Sequence, residues 1–322
     1  MQRSLIGSLL TLFLLLVFCR PALCDRGIIP AFLINPNQST NEVNSNTPVK
    51  YFEPNQNALI ACDGVEEILY LTTDLSADRP SKVLEVLPLP SEPKVTKGDF
   101  KTLRSAVEVL NSKVQSLSYG GTSGGFGGKG FHPSAVEPPA AVIVTREHLG
   151  VHEISVVKVL NPAKFVAWTE ENLKKLGSTS PSVPEWMKEK IQKYTDSGFN
   201  WFAFDVVELQ PKLKSIEPIR YRFATKHLFY PLQITKVSGP SAVKLIVMST
   251  RPIKAINPID GAKIIRSTKA FPLHKEDLEK IDTEMSKLVD KSPSFDRPVI
   301  QMLELRNPNG MDYANDLVAG FK

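Results

Sequence analysis

Ala58-Leu59-Ile60-Ala61-Cys62-Asp63-Gly64-Val65-Glu66-Glu67-Ile68-Leu69-Tyr70-Leu71 decides how the rest of this chain is read. Two apolar runs, Ala58–Cys62 and Glu67–Leu71, flank Asp63-Gly64. Asp-Gly between apolar runs is a hairpin signal, because both residues accept the positive φ of a tight turn. The stretch predicts two paired strands, with the fold proper starting near Tyr51. Lys82–Leu87 is a third strand candidate. It should close on Pro88-Leu89-Pro90-Ser91-Glu92-Pro93, whose prolines lack the donors a ladder needs.

Working outward, a helix is expected after Asp99, which can cap it, with Phe100, Leu103, Val107, Leu110, Val114 and Leu117 at steps of three and four. Ala140–Thr145 and Glu153–Val159 read as strands. A second helix follows, with Asn161 as cap, Pro162 in its first turn, an apolar face of Phe165, Trp168, Leu173 and Leu176, and Gly177 at its end. A shorter helix over Pro184–Tyr194 should turn Trp186 and Ile191 inward. Asn200–Glu208, Ile219–Phe223, Val243–Met248 and Val299–Leu305 are strand candidates, and Lys275–Asp290 is an amphipathic helix on Leu278, Ile281, Met285 and Leu288. The fold class is α+β, with mixed or mainly antiparallel sheets and three to four packed helices.

The two ends of the pattern differ from its middle. Residues 1–24 start with Met1-Gln2-Arg3, run apolar from Leu5 to Phe18 and end on Ala22-Leu23-Cys24, the layout of a secretory signal peptide cleaved near Cys24. A membrane anchor needs about 20 apolar residues; this run is shorter and is followed by Arg20. Leu23 stands where a lipoprotein wants a small residue, which argues against a lipid anchor at Cys24. Residues 25–50 read as a flexible N-terminal arm, and Asn37-Gln38-Ser39 fits the N-glycan acceptor pattern. Between Tyr119 and Phe131 seven of thirteen residues are glycine. This Gly-rich loop or linker, 119–136, is expected to join two α+β halves, 51–118 and 137–322.

Composition narrows the chemistry. Without the leader's Arg3 and Arg20 the charge falls from +5 to +3, with lysines and arginines scattered beside acids, so no nucleic-acid stripe is indicated. Cys19 and Cys24 leave with the leader and only Cys62 remains, which excludes an internal disulfide. Cys62 lies in an apolar run and is expected to be a buried, inert thiol. Lys129 follows Gly128 as in a phosphate-binding loop, but Ser123 and Gly130 occupy positions that need Gly and Ser or Thr. His148 and His152 share a helix spacing suited to zinc, yet Gly150 and the strand-like Val151–Val159 favour an extended chain, in which residues four apart are about 13 Å apart. A turn at Gly150 is the arrangement that would bring them together. His132, His227 and His274 sit in separate segments. No zincin pattern occurs. No catalytic residue, metal ligand or cofactor is identified, and Phe199-Asn200-Trp201-Phe202-Ala203-Phe204 reads as a buried central strand rather than a sugar platform.

Several stretches together resemble a known family. They are Gln56–Ile60 with Asp63-Gly64, Leu87-Pro88-Leu89-Pro90 with Pro93, Gly150–Ile154, Phe165–Trp168, Phe202–Val206, Pro218–Phe223 and Tyr230-Pro231-Leu232. The family is a set of exported prokaryotic proteins known only as an uncharacterised domain of unknown function. The resemblance covers Tyr51 to Thr250 and more loosely Val299 to Leu317, and it brings no assigned reaction and no catalytic residue. The resulting expectation is an exported protein, extracytoplasmic after cleavage, that serves as a non-catalytic envelope or extracellular binding or structural module. Its partner would be another envelope or extracellular protein, with no nucleic acid and no transmembrane span after signal removal. A hydrolase acting on envelope polymers and a solute-capturing protein are the alternatives.

Overall fold

The computed structural model describes residues 27–31, 51–52, 55–115, 140–178, 181–238, 241–259, 263–290, 297–307 and 310–321. The leader, Asn37, His132 and the Gly-rich stretch 119–136 lie outside the described residues. Strands β1 (Gly27–Ala31), β2 (Tyr51–Phe52), β3 (Asn55–Cys62), β4 (Glu66–Ala77), β5 (Ser81–Leu89) and β6 (Lys94–Lys97) precede helix α1 (Phe100–Gln115). Strands β7 (Ala141–Leu149) and β8 (His152–Val159) lead into helices α2 (Pro162–Lys175) and α3 (Glu185–Asp196). A strand-rich stretch follows: β9 (Trp201–Leu209), β10 (Lys214–Ser215), β11 (Ile219–Ala224), β12 (Leu228–Tyr230), β13 (Lys236–Ser238), β14 (Ser241–Ser249), β15 (Ile253–Ile256), β16 (Lys263–Ser267) and β17 (Phe271–Pro272). Helices α4 (Lys275–Ile281) and α5 (Thr283–Val289) and strands β18 (Val299–Asn307), β19 (Gly310–Asp312) and β20 (Leu317–Phe321) complete the chain.

Two sheets carry the fold. One has the order β1-β5-β9-β8-β7; the larger runs β16-β18-β14-β3-β4-β11-β6, with β2, β10 and β17 attached. The β3–β14 ladder is parallel while β3–β4 and β14–β18 are antiparallel, so the sheet is mixed, as expected for this α+β chain. The predicted hairpin forms between β3 and β4, turning at Gly64 with φ +84°. Strands on both sides of the Gly-rich stretch share both sheets: β5 pairs with β9, and β4 pairs with β11.

Side-chain alternation along these strands creates four layers. Ala58, Ile60, Leu69, Leu71, Ile219 and Tyr221 point from the larger sheet to Leu87, Leu89, Ile154 and Ala203 on the smaller one. The intervening residues Leu59, Ala61, Ile68 and Tyr70 face α1, α4 and α5. On the far side of the smaller sheet, Leu84, Val86, Phe202 and Phe204 pack on α2 and α3 through Phe165, Leu173, Met187 and Ile191. Helices thus cover the outside of two face-to-face sheets. The apolar stretch Trp201–Leu209 is the middle strand of its sheet and buries both faces, which explains why it shows no polar alternation.

Four details depart from the sequence-based expectation. The 25–50 stretch read as an arm contains β1, which pairs antiparallel with β5 and buries Ile28 and Ile29. Pro88 continues the β5 ladder opposite Phe202. It lies past Val86, where β1 ends, so only one side of the backbone is laddered there and a missing donor is tolerated. Helix α1 buries Thr102, Ala106, Val109 and Leu110 while Val107 is 44% exposed. Leu110 is buried and Leu103 and Val114 pack against the same cluster, as the spacing predicts, while Ala106 and Val109 take the place expected of Val107. The helix expected over Lys275–Asp290 is two helices, α4 and α5, although Leu278, Ile281, Met285 and Leu288 are all buried as predicted. Asp282 breaks it: its backbone is extended and its side chain accepts from the amides of Glu284 and Met285, both at 2.9 Å. The Tyr70 hydroxyl also donates to Asp282, at 2.9 Å.

A second carboxylate ties the C-terminal strand to the body. Asp316 accepts from the Tyr194 hydroxyl on α3 and from the amide of Gln233 at 2.8 Å. Burial pushes its pKa up to about 6, against these donors, which favour the ionised form.

Two outcomes follow from these carboxylates. Asp282→Ala removes the cap of α5 and should lower unfolding free energy by about 1 kcal/mol in chemical denaturation. For Asp316, a folded pKa above the unfolded one means that its contribution is full at low pH and is lost as pH rises from the ordinary value of 3.8 to about 6. The stability of the natural chain relative to Asp316→Asn should fall across that window by about 3 kcal/mol. Parallel pH profiles for the two proteins would contradict this.

Candidate functional site

The β7–β8 hairpin organises the candidate site. It turns at Gly150, φ +69°, with His148 opposite Glu153 and Leu149 opposite His152. Cross-strand partners share a face, and the next pair along faces the other way. His148 and Glu153 therefore lie on one side of the sheet and His152 on the other. The turn that would have brought the two histidines together instead separates them, and they hold no common metal. Among the described residues no group of three or more His, Cys, Asp or Glu side chains is placed to hold one.

His152 points between the sheets and is 1% exposed. Its Nε2 donates to the Glu217 carbonyl at 2.9 Å, and its Nδ1 shares a hydrogen bond with Asp205 Oδ2 at 2.6 Å. A carbonyl cannot donate, so the Nε2 proton is fixed and one further proton lies between Nδ1 and Asp205. Glu85, equally buried, stands opposite Asp205 in the β5–β9 register. The acid in the middle of an apolar strand, Phe204-Asp205-Val206, is the sequence signal that could have drawn attention to this group.

The solvent side of the same hairpin borders a cleft of about 420 Å³. His148 and Glu153 form one wall, Lys212 and Lys214 line another, and buried Leu75 and Ile216 contribute apolar floor. Lys82 and Glu208, opposite each other across β5–β9, pair at 2.6 Å beside it. Its frame is fixed by hydrogen bonds. The amide of Ala77 donates to Gln210 at 3.0 Å, that of Ile216 to Thr73 at 2.9 Å, and the Thr72 hydroxyl to the Ile216 carbonyl at 2.7 Å. The Glu217 carboxylate, paired with Lys97 at 2.9 Å, lies against Gly150, and the turn's φ of +69° is what calls for glycine.

The remaining sequence candidates fall elsewhere. Cys62 is fully buried opposite Glu67. Burial, with the Glu67 charge adding to it, pushes its thiol pKa well up, as expected of an inert thiol. Burial raises the Glu67 carboxyl as well, opposed by the Phe229 amide that donates to it at 2.8 Å. His227 is exposed in the turn after β11, and His274 precedes α4, its ring 3.0 Å from Arg297. Phe202 packs on Phe165 at 4.9 Å between ring centres, which agrees with the core reading of the aromatic stretch.

The family model described as "Uncharacterized protein conserved in bacteria (DUF2330)" matches residues 43–289. The chain belongs to this family. The matched range of the DUF2330 protein includes the cleft, the buried His152–Asp205 pair and all five helices, while β18 lies beyond it and completes the larger sheet beside β14. No curated protein matches. Among solved structures, the baculovirus P35 crystal structure is similar at 10% identity and a TM-score of 0.39, covering 86% of this chain and 98% of that one. A mutated baculovirus P35 after caspase cleavage gives 10% identity and 0.38, covering 84% and 100%. The caspase-8/P35 complex gives 8% and 0.36, covering 83% and 96%.

Removing one member of a buried hydrogen-bonded pair leaves the other unsatisfied, at a cost of about 1–3 kcal/mol. His152→Ala should lower unfolding free energy by that amount. A loss below about 1 kcal/mol, the level of an ordinary surface change, would show that the pair does not hold the sheets together.

Proposed function

We propose that this DUF2330 protein is an exported, non-catalytic binding module of the bacterial envelope or extracellular space. The observation that carries the reading is the placement of its reactive groups. His152, Asp205, Glu85 and Cys62 are sealed between the sheets, where no substrate reaches them, whereas the solvent-facing cleft is shaped and rigid. Export rests on the leader at 1–24, with cleavage near Cys24 giving a chain that starts at Asp25. Among the described residues no helix is long and apolar enough to cross a membrane. The cleft is the specific observation that favours solute capture as a second reading, since concave preformed sites of this volume suit small ligands.

The test has two readouts on one preparation. The tagged full chain, expressed in a bacterium, should be recovered outside the cytoplasm with an N-terminus at Asp25; recovery in the cytoplasm starting at Met1 overturns export. Incubated with peptidoglycan fragments and envelope peptides, the recovered protein should return them unchanged by mass spectrometry, and its Tm should rise with any that bind. New products that increase with time overturn the non-catalytic reading and favour the hydrolase.

A further inference from the structure

We infer that the cleft beside the β7–β8 turn binds a small anionic amphiphile, a phosphate or carboxylate group on a short apolar body. The inference rests on reading the chain as a binding module and names the ligand class of its cleft. Charge is the first argument. Lys82 is neutralised by Glu208 at 2.6 Å, and Glu153 stands opposite His148. Lys212 and Lys214 line the same cleft, and among the described residues neither has a carboxylate within ion-pair distance. Lys212 in the bend before β10 and Lys214 at its start both border the cleft, where two ammonium groups act on an anion as point charges, which suits phosphate or carboxylate equally.

The apolar surface is the second argument. Leu75, Leu209 and Ile216 form floor that is buried, and Val151 lines the cleft at 46% exposure. Leu213, between the two lysines, is 48% exposed. Large exposed aliphatic side chains beside unneutralised cations match a ligand with a charged head and an apolar tail. Preorganisation is the third. The hydrogen bonds at Gln210 and Ile216 and the locked Gly150 turn hold both walls before any ligand arrives, which limits the ordering cost of binding.

The experiment is calorimetric titration of the purified chain with hexyl phosphate and with hexanoate, with inorganic phosphate and hexanol as the head and the tail alone. The expected result is saturable one-to-one binding of hexyl phosphate or hexanoate, tighter than either part. Lys212→Ala/Lys214→Ala should weaken it ~10-fold or more, since a hydrogen bond to a charged group is worth about one to two decades of affinity. Lys226→Ala, an exposed lysine in the turn after β11, should leave it unchanged. Co-sedimentation with phosphatidylglycerol vesicles, competed by hexyl phosphate, assigns the anion to a lipid headgroup; hexyl phosphate binding without co-sedimentation assigns it to a free amphiphile. No saturable heat, hexanol binding as tightly as hexyl phosphate, or undiminished binding by the double lysine variant overturns the inference. Turnover in the preceding assay with this binding intact would overturn the module reading alone; no binding with no turnover would overturn the ligand class alone.

Discussion

The face-to-face packing of two sheets is the constraint on which the rest of this structure depends. Once two sheets cover each other and helices cover their backs, the central strands have no solvent face, and every polar group on the inner faces must find a partner. The His152–Asp205 pair and the Glu217 carbonyl meet that demand at one end of the sandwich. Because Glu217 belongs to the segment entering β11, the contact also links the smaller sheet to the larger one. Both members of the pair are buried, each at 1% exposure.

The cleft is a by-product of the same packing. The β7–β8 hairpin and the chain between β9 and β11 meet at the end of the sandwich, where neither α2 nor α3 covers the smaller sheet. The hairpin sends one histidine to each side: His152 inward to the sheet interface and His148 outward to the cleft. Gly150 makes the division possible, since the tight turn between the two histidines needs its φ of +69°. Glu217 touches both neighbourhoods, its carbonyl accepting from His152 and its carboxylate lying beside the Gly150 turn.

Much of the fold was legible locally. Asp63-Gly64 marked the β3–β4 hairpin, and Asn161, Pro162 and Gly177 marked the limits of α2. Such features depend on backbone dihedrals and on contacts a few residues apart, which the sequence writes directly. The errors have a common origin. Pro88 was read as ending β5 because the sequence does not show that β1 stops at Val86. Asp282 was read as part of a helical face because its capping role depends on an extended conformation that Tyr70, more than 200 residues away, helps to hold. On α1 the expected Leu103, Leu110 and Val114 do face the core, and Val107 alone among the described residues of that face turns outward.

The sequence by itself determined the α+β class, the family, the principal strands and helices, and the inert setting of Cys62, since periodicity, turn residues and apolar runs act over short distances. Tertiary structure alone decided the site. That Asp205 meets His152 follows from the register of β8 on β9, strands about 50 residues apart, and that Lys212 and Lys214 border the same cleft as Glu153 follows from how their segments pack. Register shifts by one residue exchange the two faces of a strand, and no local pattern on either segment fixes it against a distant partner.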